Sequence, residues 1–373
     1  MNSKQILITG GAGFVGSHTA DALIQRGHKV RIFDNLSEQV HPAGIPDYLP
    51  AEAEFIRGDV RDPAALARAV RGVDVVYHFA AAVGVGQSMY QIAEYTAVNN
   101  QGTANLLQAI LDTRSHPGKL IVASSMSIYG EGRYLCEHCG EVKPPPRPLE
   151  QLKEKRWETL CPDCGTSLKP VPTNERKPLQ STSVYALSKK DQEEMMLLFG
   201  RTYEIPVVAL RYFNIYGTRQ SLSNPYTGVA AIFASRLMNG HAPMIFEDGM
   251  QMRDFVSVRD VVQANLLAME KSAADGSALN VGSGHPVTIH QIAAELGRAL
   301  KVRVPSNVTG KYRAGDIRHC FGDISAISTL LGYKPKVSLK QGIEELVGWL
   351  QSQQADDRVE EAMQTLNVHG LVA

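Results

Sequence analysis

The residues ILITGGAGFVG, from Ile6 to Gly16, decide the fold of this chain. An apolar run predicts a buried strand, and the glycines at positions 10, 13 and 16 that follow permit a tight turn and close packing of a helix. The free amides at the start of that helix favour an anion such as a pyrophosphate. Asp34 closes the second predicted strand, where a carboxylate binds the adenosine ribose and repels a 2′-phosphate. The pattern predicts an NAD site; a plain structural turn and a solvated Asp34 are the alternatives.

Short β-branched runs alternate with amphipathic stretches over the first two hundred residues. The predicted strands are Gln5–Thr9, Lys29–Phe33, Glu54–Arg57, Val73–Phe79, Lys119–Ser124 and Val207–Arg211, with a late strand at Leu279–Gly282. The predicted helices are His18–Arg26, Pro63–Val70, Val98–Thr113 and Ser188–Tyr203. This alternation predicts a Rossmann-type, doubly wound α/β fold, in which helices cover both faces of a parallel sheet.

The alternation breaks twice, which divides the chain. Arg133 to Pro172 is rich in Pro, Lys, Glu and Cys, has no strand of convincing length, and is interpreted as an insertion. Beyond Gly217, segments interrupted by Gly and Pro suit a smaller C-terminal substrate lobe. We expect an NAD-binding domain of residues 1–132, 173–215 and 254–283, an insertion of residues 133–172, a substrate lobe of residues 216–253 and 284–350, and a tail of residues 351–373, either a docked helix or frayed.

The composition excludes several kinds of partner. Lys+Arg and Asp+Glu both total 38, so the formal net charge is zero and gives no reason to expect nucleic acid or an anionic membrane as partner. No apolar run is long enough for a transmembrane helix, and the N-terminus has no signal-peptide pattern. We therefore expect a soluble, cytoplasmic protein.

Four of the five cysteines occur in two Cys-x-x-Cys-Gly motifs within the insertion. They are Cys136, Cys139, Cys161 and Cys164. About twenty residues separate the motifs, a spacing typical of a zinc ribbon in which four thiolates bind one structural ion. Redox-active dithiols or unligated cysteines are the alternatives. Cys320 stands apart and is predicted to be a small buried residue.

Tyr185 and Lys189 form a Tyr-x-x-x-Lys pair. Residues four apart share one face of a helix, so the ammonium group lies near the phenol and favours its ionised form. This matters because a phenol, with an unperturbed pKa of about 10, is a poor base at neutral pH. Ser125 follows an apolar strand and offers a hydroxyl at the sheet edge where ligands gather. Each feature also occurs by chance, but their order after a dinucleotide motif indicates an oxidoreductase-type active site.

Taken together, these motifs resemble the extended short-chain dehydrogenase/reductases, specifically the nucleotide-sugar epimerase/dehydratase branch. The resemblance covers about residues 4–350 apart from the insertion. The stretches that carry it are Thr9–Gly16, Asp34–Leu36, Gly58–Val60, His78–Ala82, Asn99 with Gly102 and Thr103, Ser124–Ser125, Tyr185 with Lys189, Leu210–Gly217, Arg253–Val256 and Arg313–Asp316. Ala82–Tyr90 and the insertion are most similar to the dTDP-L-rhamnose 4-epimerases.

The resemblance implies a role for each matching residue. Ser125, Tyr185 and Lys189 are then catalytic, and Ser125, Asn214, Arg253 and Arg313 contact a nucleotide-diphosphate sugar. The implied NAD contacts are Gly10, Gly13, Phe14, Val15, Gly16, Asp34, Asn35, Asp59, Val60, Ala80, Ala81, Asn99, Tyr185 and Lys189. The arginines also make sense on chemical grounds, because a guanidinium fork suits a diphosphate, although an interdomain ion pair is the alternative. A homodimer through the helices at Val98–Thr113 and Ser188–Tyr203 is implied in the same way.

Two residues bear on the reaction. The sugar 4,6-dehydratases resemble one another in carrying carboxyl groups where this chain has Met126 and Ser127, which cannot do acid–base work at neutral pH. A 4-epimerase needs no such acid, because the keto-sugar turns over in a loose pocket while NAD stays bound. We therefore expect a nucleotide-sugar 4-epimerase. A dehydratase or reductase of the same family is the alternative, and a non-catalytic NAD-binding scaffold is the alternative of another class, although its mark would be loss of Tyr185 or Lys189.

Overall fold

The computed structural model describes residues 3–313 and 316–372. Ala314 and Gly315 of the predicted Arg313–Asp316 motif lie outside the described residues, as do Met1, Asn2 and Ala373 at the ends of the predicted ranges. The strands are β1 (Gln5–Thr9), β2 (Lys29–Asp34), β3 (Glu54–Arg57), β4 (Val75–His78), β5 (Lys119–Ser125), β6 (Arg133–Cys136), β7 (Gly140–Val142), β8 (Lys169–Val171), β9 (Val207–Tyr212), β10 (Asn214–Tyr216), β11 (Met244–Ile245), β12 (Met252–Ser257), β13 (Ser277–Val281), β14 (Pro286–Thr288), β15 (Asn307–Val308) and β16 (His319–Cys320). The helices are α1 (Phe14–Gln25), α2 (Pro63–Ala69), α3 (Val85–Ser88), α4 (Ile92–Tyr95), α5 (Gly102–Asp112), α6 (Leu149–Lys153), α7 (Val184–Tyr203), α8 (Val229–Met238), α9 (Val258–Glu270), α10 (Ile289–Leu300), α11 (Ser325–Leu331), α12 (Leu339–Leu350) and α13 (Val359–Val368), with a π-helical turn at Thr96–Gln101 and a 3₁₀ turn at Met126–Tyr129.

A seven-stranded parallel sheet in the order β3-β2-β1-β4-β5-β9-β13 forms the centre of the molecule. Successive side chains of β1 enter opposite cores: Ile6 and Ile8 pack with Leu23 of α1, whereas Leu7 packs with Leu66 of α2. Helices α1, α9 and α11 cover one face, and α2, α5 and α7 cover the other. Because both faces are buried, the strands are almost wholly apolar. The predicted doubly wound α/β fold is confirmed.

The predicted strands of this sheet are confirmed with small changes at their ends. The late strand at Leu279–Gly282 is β13, which pairs in parallel with β9 at the sheet edge. Helix α1 begins at Phe14, four residues before the predicted start at His18. Glycine and β-branched residues near its start obscured the helical pattern there, since the first turn packs on the loop rather than forming an amphipathic face.

The insertion has more regular structure than expected. A three-stranded antiparallel sheet in the order β7-β6-β8 lies within it, where the sequence showed no strand of convincing length. Each strand has only three or four residues, too few for alternation to show in the sequence. Its core is small and consists of Tyr134, Cys136, Cys161 and Leu168, with Val142 packed against them.

The C-terminal lobe is built around a second, four-stranded sheet, in which β12 pairs with β10, β14 and β16. Only Phe213 separates β9 of the main sheet from β10, so the chain enters this lobe without a linker. The expected domain boundaries after residues 215 and 253 fall inside β10 and β12.

The tail forms a docked helix, the first of the two expected alternatives. Helix α13 buries Ala362, Met363 and Leu366, and the ring of His369 stacks on Tyr90 with centroids 4.7 Å apart. Among the residues that the structure describes, no helix combines the length and apolar character needed to cross a membrane.

Candidate active site

The glycine-rich loop lies at the crevice between β1 and β4, where the strand order reverses and α/β sheets bind their ligands. Gly10 has a left-handed φ of +70°, and a Cβ there would lie 2.7 Å from the backbone nitrogen of Ala80. A Cβ on Gly16 would collide with the carbonyl oxygen of Gly10. Only glycine fits at both positions, so the loop keeps its backbone open toward the crevice.

Helix α1 starts directly after Gly13, which provides no side-chain cap. The first amides of the helix, at Phe14–Val15, therefore lie at an uncapped N-terminus that suits an anion. Asp34 lies across the loop at the end of β2. Its Oδ2 accepts a hydrogen bond from the amide of Ala12 at 3.0 Å, and its Oδ1 accepts one from the amide of Leu36 at 2.9 Å. The carboxylate is thus held beside the loop, where the sequence predicted it.

Asp59 and Val60 follow β3, the strand next to β2. Asp59 accepts hydrogen bonds from two guanidinium nitrogens of Arg61, at 2.8 and 2.9 Å, and from Nδ2 of Asn35 at 2.9 Å. These contacts, first of all those from Arg61, lower the pKa of Asp59 to about 2, so the carboxylate stays ionised. Val60 is buried against Gly102, where a Cβ would overlap its side chain. The structure brings Asn35, Asp59 and Val60 together on the outer side of Asp34.

Asn99 is fully buried in the π-helical turn before α5. Its Oδ1 accepts from the amide of Ala82 at 2.8 Å, and its Nδ2 donates to the carbonyl of Ala82 at 3.1 Å and to Oγ of Ser188 at 2.8 Å. These bonds hold the segment Ala80–Ala82, which includes Ala81, against α7. Single π-turns inside helices are frequent at functional sites.

Ser125 and Tyr185 meet at the carboxyl end of β5. Ser125 Oγ accepts hydrogen bonds from the amide of Ser127 at 3.2 Å and from its hydroxyl at 2.9 Å. Tyr185 lies in the first turn of α7, which Ser183 caps. Burial raises the pKa of Tyr185, and a hydrogen bond to Ser125 opposes that rise.

Lys189 lies beneath Tyr185 in a wholly buried polar chain. Its Nζ donates to Oε1 of Gln192 at 2.7 Å, and Nε2 of Gln192 donates to Thr103 Oγ1 at 2.8 Å. The hydroxyl of Thr103 lies 2.9 Å from Nε2 of His78, whose pKa burial lowers to about 3, so that the ring is neutral. Burial lowers the pKa of Lys189 to about 7, and the charge of Glu193 opposes this. Gln192 was not among the predicted site residues, although its spacing of three from Lys189 on α7 places the two on one helix face.

A buried charged group, here called the core cluster, lies below this chain and consists of Ser124, Tyr129, Glu193 and Arg211. Arg211 pairs with Glu193 at 2.5 Å, and their side chains are 7% and 3% exposed. Ser124 donates to Glu193 at 2.6 Å, and Arg211 donates to the hydroxyl of Tyr129 at 2.8 Å. The cluster joins β5, α7 and β9 beneath Ser125.

Arg253 and Arg313 flank one carboxylate. Asp316 Oδ1 lies 3.9 Å from Arg253, and its Oδ2 lies 3.4 Å from Nε of Arg313. Burial raises the pKa of Asp316, but the charges of Arg313, Arg253 and Arg147 outweigh it and lower the pKa, so Asp316 is ionised. The guanidinium of Arg313 lies 4.7 Å above the ring of Phe246.

Asn214 begins β10 beside this group. Its Oδ1 is buried and has no hydrogen-bond partner among the described residues, which is costly unless a ligand donates to it. A narrow crevice is lined by Asp316, which the two arginines flank, and by Gln180 and Thr182, which precede Tyr185 in the chain.

The cysteine sulfurs of the insertion converge. All four lie within 4.8 Å of one another, and none is in a disulfide. Zn–S bonds of about 2.3 Å place sulfurs about 3.8 Å apart in a tetrahedron, which this group fits. Gly140 and Gly165, directly after each motif, have left-handed φ angles of +77° and +75°, as the tight turn around an ion requires.

Comparison with known proteins agrees with this geometry. The model of the NAD dependent epimerase/dehydratase family matches residues 6–151 and 162–282, leaving out only part of the insertion between them.

Two curated relatives and one solved structure illustrate the similarity. A dTDP-L-rhamnose 4-epimerase of Burkholderia thailandensis is 32% identical, with 94% of this chain and 96% of the relative covered. A putative UDP-glucose 4-epimerase of Methanocaldococcus jannaschii is also 32% identical, with 93% and 98% covered. The crystal structure of a Thermus thermophilus UDP-glucose 4-epimerase in complex with NAD has a TM-score of 0.75 and 29% identity, over 94% of this chain and 100% of that one. This chain belongs to the NAD dependent epimerase/dehydratase family.

Proposed function

We propose that this protein is an NAD-dependent nucleotide-sugar 4-epimerase. The observation that carries the proposal is the meeting of Ser125 and Tyr185, above buried Lys189, at the sheet edge that also holds the glycine-rich loop. Met126 and Ser127 stand where a 4,6-dehydratase carries its carboxyl groups, so this site provides proton transfer at one hydroxyl but lacks that acid. The family relatives named as 4-epimerases support the same interpretation.

The chemistry assigned to the chain's own residues is simple. A bound NAD would supply the hydride acceptor and donor for oxidation at C4 of the sugar and reduction on the opposite face. Tyr185 removes the proton of the C4 hydroxyl and afterwards gives it back, while Ser125 orients that oxygen by hydrogen bonding. The Lys189 ammonium stabilises the phenolate form of Tyr185.

The proposed NAD contacts follow the crevice. The uncapped start of α1 receives the pyrophosphate, and Asp34 the adenosine ribose, which favours NAD over NADP. The remaining proposed contacts are Gly10, Gly13, Phe14, Val15, Gly16, Asn35, Asp59, Val60, Ala80, Ala81, Asn99, Tyr185 and Lys189. On this basis we propose that residues 1–132, 173–215 and 254–283 form the NAD-binding part of the chain.

Asn214, Arg253 and Arg313 are proposed to bind the nucleotide diphosphate and its sugar. The unpaired Oδ1 of Asn214 offers an acceptor to a ligand. Arg253 donates three of its five N–H groups to the carbonyls of Met252, Ile317 and Arg318, which leaves two for a diphosphate oxygen.

Two alternatives fit the site less well. A dehydratase would need an acid from another position. Of the two carboxylates that line the crevice before Tyr185, Asp316 is held ionised by the neighbouring arginines, and Glu131 accepts hydrogen bonds from the amides of Arg318 and His319. A non-catalytic scaffold would have no use for Tyr185 and Lys189, which the chain retains and orders through hydrogen bonds.

We also propose that Cys136, Cys139, Cys161 and Cys164 hold one structural zinc ion. Four thiolates close the coordination shell, so the ion would have no position for water or substrate. A homodimer through α5 and α7 is proposed as well, supported by Leu187, Leu198 and Tyr203, which expose 49–57% of their surface along α7.

The decisive experiment incubates purified protein with dTDP-L-rhamnose and UDP-glucose, among other nucleotide sugars, and follows products by NMR without added cofactor. We expect inversion at C4 with a tightly held NAD as the only redox partner, and dTDP-L-rhamnose is the first candidate substrate because of the Burkholderia relative. A 4-keto-6-deoxy product, or strict dependence on stoichiometric NADPH, would assign the protein to the dehydratases or reductases instead.

A further inference from the structure

We propose that the cysteine-bearing insertion positions the arginines that bind substrate, and that Arg147 and Glu158 are its positioning residues. The proposal rests on the proposed function, because it takes Arg253 and Arg313 as the diphosphate-binding groups. It assigns to the insertion a role in substrate affinity rather than in chemistry or in NAD binding.

An ionic group, here called the interlobe cluster, joins the insertion to the C-terminal lobe; four of its members are buried, whereas the side chains of Glu158 and Asp248 are 45% and 37% exposed. Its members are Glu131, Arg147, Glu158, Glu247, Asp248 and Arg318. The fully buried side chain of Arg318 donates to Glu158 at 2.6 and 3.0 Å and to Glu247 at 2.9 Å. Arg147, 2% exposed at its side chain, pairs with both oxygens of Glu247 at 2.7 and 3.0 Å. One acidic residue of the lobe is therefore shared by an arginine of the insertion and an arginine of the lobe.

The same cluster holds the backbone of the segment Asp316–His319. Glu131, at the root of the insertion, accepts from the amide of Arg318 at 2.7 Å and from that of His319 at 3.3 Å. Glu158, within the insertion, lies 3.0 Å from Nε2 of His319. Arg147 donates to the carbonyl of Asp316 at 3.0 Å. Each contact fixes a main-chain atom or a neighbouring side chain of this short segment.

The segment Asp316–His319 holds the guanidinium group of Arg253 in place. Its guanidinium donates to the carbonyl oxygens of Ile317 at 2.7 Å and Arg318 at 2.9 Å, and Asp316 lies between Arg253 and Arg313. The direction of both guanidinium groups therefore depends on where the segment sits. Because Arg147 and Glu158 of the insertion contact the segment, beside Glu131 at its root, the insertion helps to set that position.

The insertion also reaches the crevice itself. Pro144 and Pro146 line it together with Gln180, Thr182 and Asp316. Glu158 precedes Cys161 by only three residues. Thr159, the residue after Glu158, accepts a hydrogen bond at its carbonyl from the amide of Leu168 in the small core of the insertion. With so small a core, the cysteine cluster is what keeps Glu158 at a defined place.

The physical consequence is preorganisation. Arginines already held in the bound geometry lose little conformational freedom when the diphosphate arrives, whereas unsupported arginines must be ordered at that moment. Loss of the support raises the KM for the nucleotide sugar and leaves kcat nearly unchanged, because Ser125 ends β5 of the main sheet and Tyr185 lies on α7, which packs on that sheet.

The test is Glu158→Gln, which removes the charge but keeps the shape. Arg318 retains Glu247 and Asp248 in this variant, so we expect it to fold. The matched control is Arg156→Gln, which breaks an exposed pair with Glu154 inside the insertion and touches nothing in the lobe. We expect Glu158→Gln to raise KM roughly tenfold, the scale of one charge-assisted hydrogen bond, with kcat within about threefold, and bound NAD and metal content unchanged. The control should leave all four quantities unchanged.

Arg253→Gln, alone and combined with Glu158→Gln, separates this inference from the proposed function. If Glu158 acts through Arg253, the double variant raises KM no further than Arg253→Gln does. If Glu158→Gln leaves KM unchanged and Arg253→Gln raises it, the positioning role of Glu158 is wrong, but the proposed substrate-binding role of Arg253 is supported. An unchanged KM in Arg253→Gln overturns both. Parallel loss of kcat, NAD and fold in Glu158→Gln would mean that the residue is structural only.

Discussion

The core cluster and the interlobe cluster differ in how the chain brings their members together. Within the core cluster, Glu193 and Arg211 are 18 residues apart and lie on neighbouring elements of one α/β layer. In the interlobe cluster, Arg318 meets Glu131 across 187 residues and Glu158 across 160. The Glu193–Arg211 pair of the core cluster can form when α7 packs on the main sheet. The interlobe cluster can form only when the insertion and the C-terminal lobe have both folded.

This difference assigns the clusters different tasks. The core cluster joins β5, α7 and β9 beneath Ser125 and Tyr185. A substitution in it should therefore lower the free energy of unfolding. The interlobe cluster holds the segment Asp316–His319, which supports Arg253. A substitution in it should therefore weaken substrate binding before it lowers the free energy of unfolding. The predictions below separate chemistry, core stability and insertion, in decreasing order of expected effect.

Tyr185→Phe should abolish turnover, with a loss of at least about 10³-fold, because it removes the proton-transferring group and nothing else. The pyrophosphate and ribose contacts lie elsewhere, so NAD should remain bound. Product formation by NMR and the NAD released on denaturation measure the two effects. Near-normal activity would refute the catalytic assignment.

Arg211→Met tests the core cluster. It leaves Glu193 charged and buried without its partner, which should cost about 3–5 kcal/mol in the free energy of unfolding, measured with urea and circular dichroism. The matched control is Arg259→Met, which breaks an exposed pair with Glu345 and should change that free energy by less than about 0.5 kcal/mol. Equal effects in the two variants would show that the core cluster does not support the sheet.

How much of this could be predicted depended on sequence distance. The strands of the main sheet, the glycine-rich loop and Asp34 were predicted because each is specified by neighbouring residues through alternation or spacing. Gln192 has a local signal, its spacing of three from Lys189 on α7, but a glutamine on a helix is common and does not by itself indicate a site. Arg318 could not be predicted, because a lone arginine in a loop carries no local sign of the partners that bury it.

The insertion shows the same limit in another form. The two Cys-x-x-Cys-Gly motifs predicted a clustered set of thiols, and the sulfurs converge. The short strands of the insertion were not predicted, because three or four residues cannot establish a period of two. Nothing in the motif indicated that Glu158, just outside it, contacts Arg318 of the other lobe.

Ser125→Ala should slow turnover by roughly 10²-fold, the usual scale for loss of one positioned hydrogen-bonding group at the reacting oxygen. Because Ser125 faces Tyr185 rather than the core cluster, the free energy of unfolding should change little. Steady-state kinetics with the best substrate of the NMR panel give the ratio. The assignment fails if kcat stays within about twofold of the wild-type value.

Cys161→Ser is expected to have the smallest effect on the reaction. The wild-type protein should contain about one zinc per chain by elemental analysis, and the variant should contain much less, because one of four thiolates is lost. Residues 133–172 should become sensitive to protease, and KM should rise about tenfold as Glu158 loses its fixed place. NAD should stay bound, since its proposed contacts lie on the main sheet and the helices packed on it, outside residues 133–172. Cys320→Ala is the control: Cys320 is buried outside the cluster, so its loss should leave the zinc content unchanged. Metal-free wild-type protein with a protease-resistant insertion, or a disulfide within either motif, would show that the thiols have another role.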